Sequence, residues 1–247
     1  MKKCVVVTGG AQGIGKAICH ACAKQYDVVI NYHTSKQEAL ALRKELIEKY
    51  HINCLAVQAD VSDEKQVEEM FKKIAEAGMH CDILINNAAI DLSNLWHLKT
   101  AEEFRRTLNV NVVGAYNCAK AALHGMIERE WGRIINIAST NGINTYYPMC
   151  IDYDASKAAL ISLTHNLAVE GSPYVLVNAI APGFIGTENE LDGYDEEFLK
   201  EETEKIMVKR YGEPEEVAYL VMFLISEQAN YINNTVIRID GGQMGSV

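Results

Sequence analysis

Short runs of aliphatic and β-branched residues recur along the chain, each followed by a longer segment whose apolar positions repeat with helical spacing, and this alternation limits the possible folds most. The runs lie near Cys4–Thr8, Asp27–Asn31, Asn53–Val57, Asp82–Ile85, Arg133–Ala138, Val175–Ala179 and Val236–Ile239. Strands that are apolar on both faces and separated by helices belong to a parallel sheet covered on both sides. The expected class is therefore α/β, a doubly wound parallel sheet with helices on both faces. With 247 residues, 49% of them apolar, the chain can bury a continuous core. No repeat or linker divides it, so residues 1–247 are expected to form a single domain.

A formal net charge of −10 opposes nucleic-acid binding, which needs clustered Lys and Arg to release counterions. The seven cysteines are scattered in a chain too long to depend on disulfides, which fits a reducing cytoplasm. The apolar start after Lys2-Lys3 stops at Gly9-Gly10, too early for a secretory signal. The uncharged stretch from Ile134 to Ile151 carries Asn136, Asn141 and Asn144 among other polar groups, which hydrocarbon would not accept. A soluble protein without a membrane partner is expected.

The first run leads through Thr8-Gly9-Gly10-Ala11-Gln12-Gly13-Ile14-Gly15 into a helical pattern over Lys16–Lys24. Glycine permits a tight turn and lets backbone approach a pyrophosphate, while the helix start offers unpaired N–H groups and its positive dipole end. Gly9, Gln12, Gly13, Ile14 and Gly15 are thus candidate dinucleotide contacts, although an ordinary glycine turn has the same appearance. The second strand ends Val29-Ile30-Asn31-Tyr32-His33, without the carboxylate that usually binds the ribose hydroxyls of NAD. Asn31 does not repel a 2′-phosphate, and His33, Thr34, Ser35 and Lys36 can bond or neutralise one. NADP(H) is expected and NAD(H) is the alternative. Gln12 supplies no cation, and a plain polar loop also fits.

Tyr153-Asp154-Ala155-Ser156-Lys157 begins a helical pattern that runs to Glu170, so Tyr153 and Lys157 share one face. A free tyrosine titrates near about 10, and a neighbouring ammonium favours its phenolate. Tyr153 can then give or take a proton. Ser139 ends an apolar strand, at the edge where open parallel sheets bind ligands, and its hydroxyl can hold a carbonyl oxygen.

In order along nearly the whole chain, these residues resemble the short-chain dehydrogenase/reductase family. The marks are Thr-Gly-x-x-x-Gly-x-Gly at Thr8–Gly15, Asn86-Asn87-Ala88-Ala89, Asn111 within Leu108–Val112, Ser139, Tyr153 with Lys157, and Pro182–Thr187. The resemblance implies a Rossmann domain that moves a hydride between a nicotinamide and a carbonyl or alcohol carbon. It implies that Ser139 polarises the substrate oxygen, Tyr153 exchanges the proton, and Lys157 holds the ribose and supports the tyrosine. It further implies that Asn111 anchors a water serving Lys157, Asp60 and Val61 border the adenine, Asn87 and Ala88 line the cofactor, and Ile185 and Thr187 meet the carboxamide. Blander roles remain open: Asn111 as a cap or kink, Thr187 as a turn, Asp60 as an N-cap before Ser62–Lys65. The resemblance also implies a homo-oligomer, a tetramer, with Val236–Ile239 and Asp240-Gly241-Gly242 near a subunit contact.

Ala89 departs from the family's glycine and adds a methyl beside the cofactor. Specificity is expected in Asp91–Leu98, Asn141–Asp152 and Glu188–Val208, the last within a substrate lid at about residues 186–210 that carries nine acids between Glu188 and Glu204. That acidic run reads as a solvated helix face, and Cys19-His20-Ala21-Cys22 as core thiols rather than a metal pair. The histidines lack ligand spacing, so no metal site is expected. A free small-molecule carbonyl or alcohol ranks ahead of a 3-oxoacyl-acyl-carrier-protein substrate. Only Arg129 and Arg133 suggest docking cations, Val169–Tyr174 has none, and an acidic carrier would meet a net-negative enzyme. A dinucleotide-binding module without chemistry is the third reading, opposed by intact Ser139, Tyr153 and Lys157.

Overall fold

The structure, a computed structural model, describes residues 2–144, 149–193 and 195–243, with the side chains of 189 and 190 left out. Seven parallel strands form one sheet: β1 (Cys4–Val7), β2 (Asp27–Tyr32), β3 (Cys54–Gln58), β4 (Cys81–Asn86), β5 (Gly132–Ile137), β6 (Val175–Pro182) and β7 (Val236–Ile239). Their order across the sheet is β3-β2-β1-β4-β5-β6-β7, so the winding reverses between β1 and β4. The carboxyl ends of those two strands part there and leave a crevice.

The helices are α1 (Gly13–Ala23), α2 (Lys36–Tyr50), α3 (Glu64–Glu76), α4 (Ala101–Leu108), α5 (Gly114–Glu128), α6 (Ile151–Gly171), α7 (Glu188–Gly193), α8 (Glu196–Glu204) and α9 (Pro214–Leu224). Successive side chains of a strand point to opposite faces, and β1 shows the result: Val5 and Val7 join the core under α1, α2 and α9, while Val6 joins the core under α3, α5 and α6. Each such fully buried aliphatic side chain contributes roughly 1.5–3 kcal/mol.

All seven expected strands are present. Four run past their expected carboxyl ends, β2 to Tyr32, β3 to Gln58, β4 to Asn86 and β6 to Pro182. At the sheet edge β7 is only half-buried along its length, unlike the doubly covered strand its apolar residues suggested. Among the described residues no helix is long and apolar enough to cross a membrane.

Candidate active site

The loop after β1 lies in the crevice and is braced from both sides. Gly9 and Gly13 adopt φ of +59° and +49°, the left-handed region that disfavours a side chain. A Cβ on Gly15 would stand 2.3 Å from the Gly9 carbonyl oxygen and 2.7 Å from Asn87 Nδ2. From β4, Asn87 Nδ2 donates to the Thr8 and Gly9 carbonyls at 3.0 and 3.1 Å, and Thr8 Oγ1 accepts from Asn87 N and Ala88 N at 2.9 and 3.0 Å. From β2, the Asn31 carbonyl accepts from Gly10 N at 2.9 Å. Gln12 precedes α1 in extended backbone, and its side chain makes no capping hydrogen bond to the first N–H groups of that helix. Gly9, Ala11 and Gln12, just before that helix, line a cleft of about 420 Å³. The tight glycine cradle and uncapped helix start fit a pyrophosphate.

The catalytic candidates stand across the crevice, beyond β5. Lys157 is 3% exposed; its Nζ donates to the Ile137 carbonyl at 2.7 Å and lies 5.3 Å from the centre of the Tyr153 ring. Burial pushes the Lys157 ammonium down to about 8. Ser139 follows β5, where Asn141 N donates to its Oγ at 3.1 Å and its hydroxyl donates to Asn141 Oδ1 at 3.3 Å. Asn141 Nδ2 in turn donates to Asp154 at 2.7 Å, joining the Ser139 turn to the residue after Tyr153. Asn111 sits in a π-helical turn, Asn109–Val113, that bulges the chain between α4 and α5. Its side chain accepts from Ile90 N at 2.8 Å, and its Nδ2 donates to the Ile90 carbonyl and to Ser156 Oγ at 2.9 and 3.0 Å.

Comparison with known proteins fits this geometry. Residues 9–244 match the family model described as enoyl-(acyl carrier protein) reductase. The chain is 37% identical to 3-oxoacyl-[acyl-carrier-protein] reductase FabG of Aquifex aeolicus, over 97% of this chain and 96% of that one. It is 39% identical to acetoacetyl-CoA reductase of Rhizobium meliloti, over 98% and 99%. The chain belongs to the short-chain dehydrogenase/reductase family. With that family it is a nicotinamide-dependent oxidoreductase of carbonyl and alcohol carbons. Among solved structures, ElxO with NADP bound is similar with a TM-score of 0.88 and 35% identity, covering 98% of each chain.

Within this short-chain dehydrogenase/reductase the expected Asn31, Asp60 and Val61 line the cleft, and each is also tied into the surrounding protein. Asn31 is 1% exposed; its Nδ2 donates to the Ala59 and Val57 carbonyls at 3.1 and 3.4 Å, and its Oδ1 accepts from Gly9 N at 3.3 Å. Its side chain joins β2, β3 and the glycine loop, and Asn31 lines the cleft together with Tyr32, His33, Thr34 and Ser35. Asp60 is not the N-cap of α3. Asp63 holds that place, while Asp60 Oδ1 accepts from Ser62 N and Oγ at 2.9 and 2.7 Å. Asp60 Oδ2 also lies 3.8 Å from His33 Nε2, across the cleft rim. Val61 is buried, its carbonyl accepting from Asn117 Nδ2 at 3.0 Å. Ile185 is buried beyond β6, and the Thr187 methyl would stand 3.3 Å from a Cβ on Gly13, beside the start of α1. Ala89 lies exposed at the cleft.

The two arginines considered for docking are engaged. Arg133 is 3% exposed, bonded to the Gly132 carbonyl and Asn230 and set against Trp131. Arg129 donates to the Cys81 carbonyl at 2.7 Å and lies 3.4 Å from Asp82, by the amino ends of β4 and β5. Within the acidic run Glu202 is buried beside Lys205, so that helix is not solvated on every acid. Cys19 and Cys22 lie in the core, where burial pushes the Cys22 thiol up to about 12. Part of the expected specificity segment Asn141–Asp152 lies outside the described residues, at 145–148. The sequence reading missed Arg106, an exposed cation lining the cleft, because no motif marks it. It also missed Lys99 and Asp152, whose ion pair measures 2.9 Å.

Proposed function

We propose that this chain interconverts a free small-molecule ketone and secondary alcohol, with NADP(H) preferred to NAD(H) and Tyr153 exchanging the proton. The observation that carries the reading is the Tyr153–Lys157 couple beyond β5, with the buried Lys157 ammonium 5.3 Å from the centre of the Tyr153 ring. A bound nicotinamide dinucleotide supplies or accepts the hydride. Gly9, Gln12, Gly13, Ile14 and Gly15 hold its pyrophosphate, Asp60 and Val61 border its adenine, and Ala88, Ile185 and Thr187 line the way to its nicotinamide. Asn87 acts mainly by bracing the glycine loop. Ser139 already accepts a bond from Asn141 N, so its hydroxyl proton, held only at 3.3 Å by Asn141 Oδ1, is free to turn to a substrate carbonyl. The Lys157 ammonium favours the Tyr153 phenolate, and Asn111 keeps the adjoining helix turn in place for the water serving Lys157.

The cofactor preference rests on the cleft rim. Tyr32 ends β2 without an acid, His33, Thr34 and Ser35 present donors, and Arg106 supplies the cation that Gln12 does not. The NADP bound to the similar protein ElxO supports it. A 3-oxoacyl thioester is the second reading, favoured by the names of the two relatives. The engaged Arg129 and buried Arg133 weigh against carrier-protein docking on this chain. We read residues 1–247 as one cytoplasmic domain, with about 186–210 covering the substrate side, assembled as a homotetramer.

Steady-state turnover with NADPH and NADH against diacetyl and acetoacetyl-CoA tests this. The expected result is a higher kcat/KM for NADPH and for diacetyl. A preference for NADH refutes the cofactor assignment, and a preference for acetoacetyl-CoA establishes the second reading.

A further inference from the structure

Tyr153 stands between two acids, and each is pinned by a different loop. Asp154 is held by Asn141 from the turn after β5. Asp152 is held from the other side, by the segment between β4 and α4. Among the ion pairs of the described residues, Lys99–Asp152 alone has both partners buried, at 4% and 0% exposure. Thr107 Oγ1 of α4 donates to the second carboxylate oxygen at 2.7 Å, and Lys99 Nζ also donates to the Leu92 carbonyl.

A buried ion pair is weak evidence of stabilisation, because apolar side chains of similar volume often hold a core as well or better. Its placement is more informative. Thr107 and Asn111 are four residues apart on the chain that faces α6, and their partners Asp152 and Ser156 are also four apart. These contacts form a polar seam along one side of α6, which fixes the turn of the helix that carries Tyr153 and Lys157. The same segment is stitched to the start of α6 at further points: Asn94 N donates to the Met149 carbonyl at 3.1 Å, and Cys150 Sγ donates to Asp91 at 3.4 Å. Lys99 closes the segment on itself through Leu92 and clips it to Asp152, directly before Tyr153.

We propose that Lys99, Asp152 and Thr107 are positioning residues for the reaction, locking segment 91–99 to the first turn of α6 so that Tyr153 is set against the substrate carbonyl. The inference rests on the functional reading above. Removing one charge strands the other in the core, so the main variant is the uncharged double substitution Lys99→Met/Asp152→Asn. With NADPH and diacetyl, its kcat is expected to fall on the order of 10²-fold, the scale of a small misplacement at a reacting centre. The NADPH dissociation constant should stay within about twofold, since the cradle is untouched, and the isotope effect with NADPH deuterated at the transferred position should rise as the chemical step becomes limiting. Wild-type kcat and isotope effect in the double variant would overturn the proposal. If that variant does not fold, Thr107→Val carries the test: a lower kcat at unchanged NADPH affinity supports the proposal, and a wild-type kcat overturns it. Hydrogen exchange at 91–99 and 149–153 separates this inference from the functional reading. Faster exchange in the variant supports the lock whatever the wild-type activity, and unchanged exchange refutes it even if the wild type turns over diacetyl.

Discussion

Small polar side chains around the crevice are largely spent on holding backbone. Asn31 shows the consequence. Its position at the end of an apolar strand suggests a cofactor contact, and it lines the cleft, but its amide is bonded to β3 and the glycine loop, while β2 runs one residue further, to Tyr32. Asn31→Asp would set a carboxylate oxygen against the Val57 and Ala59 carbonyls, which now accept from the amide. It should cost about 1–3 kcal/mol in urea unfolding and leave the ratio of NADPH to NADH efficiency nearly unchanged. A shift toward NADH without loss of stability would restore Asn31 as the discriminating residue. On the proposed function, Lys157 should set the pH dependence. Burial disfavours its charged form, so it keeps its proton below about 8 and loses it above. Carbonyl reduction, which draws on that ammonium, should decline as pH rises through about 8. Lys157→Met should lose this limb and run slower on the order of 10²-fold; an unchanged limb would place the titration elsewhere. Tyr153, Lys157 and Ser139 could be picked out in the sequence as candidates because the proposed chemistry needs those residue types at that spacing. Lys99 and Asp152 were not, since only the fold brings a lysine before α4 against an acid in α6.

At the scale of elements, the strands were legible because burial on both faces leaves continuous apolar runs, and their ends were not, since one to three residues at a strand end carry no distinct composition. The π-helical turn Asn109–Val113 left no sequence signal, as its residues fit an ordinary helix equally well. Nor did the half-open β7, whose apolar residues read like those of a covered strand. The glycine loop was legible as a phosphate motif, but its bracing by Asn87 and Asn31 emerged only with the sheet order, which sets β1 between β2 and β4. Gly15 is the keystone of that junction, because its missing Cβ admits both the Gly9 carbonyl and Asn87. Gly15→Ala should weaken NADPH binding at least roughly tenfold, about 1.4 kcal/mol, and lower the melting temperature. NADPH titration of a folded variant with wild-type affinity would show that the junction tolerates the methyl.

At the scale of the molecule, one sheet carries the glycine cradle after β1, at its winding reversal, and the proposed proton-handling residues after β5, two strands away. The half-buried β7 edge and the exposed Tyr219 and Phe223 of α9 are an unfinished surface for a lone chain, as are Val113 and Tyr116 at the start of α5. Sedimentation velocity at micromolar concentration should therefore give a tetramer, and a monomer would refute that assembly. The central claim is that this fold delivers a proton from Tyr153 as hydride moves to a carbonyl, and it is tested most directly by NADPH consumption with diacetyl in the wild type and in Tyr153→Phe. The account predicts turnover by the wild type and at least a roughly 10²-fold loss in the variant, with NADPH still bound, because only the phenolic oxygen is removed. Turnover by Tyr153→Phe within tenfold of the wild type would contradict it.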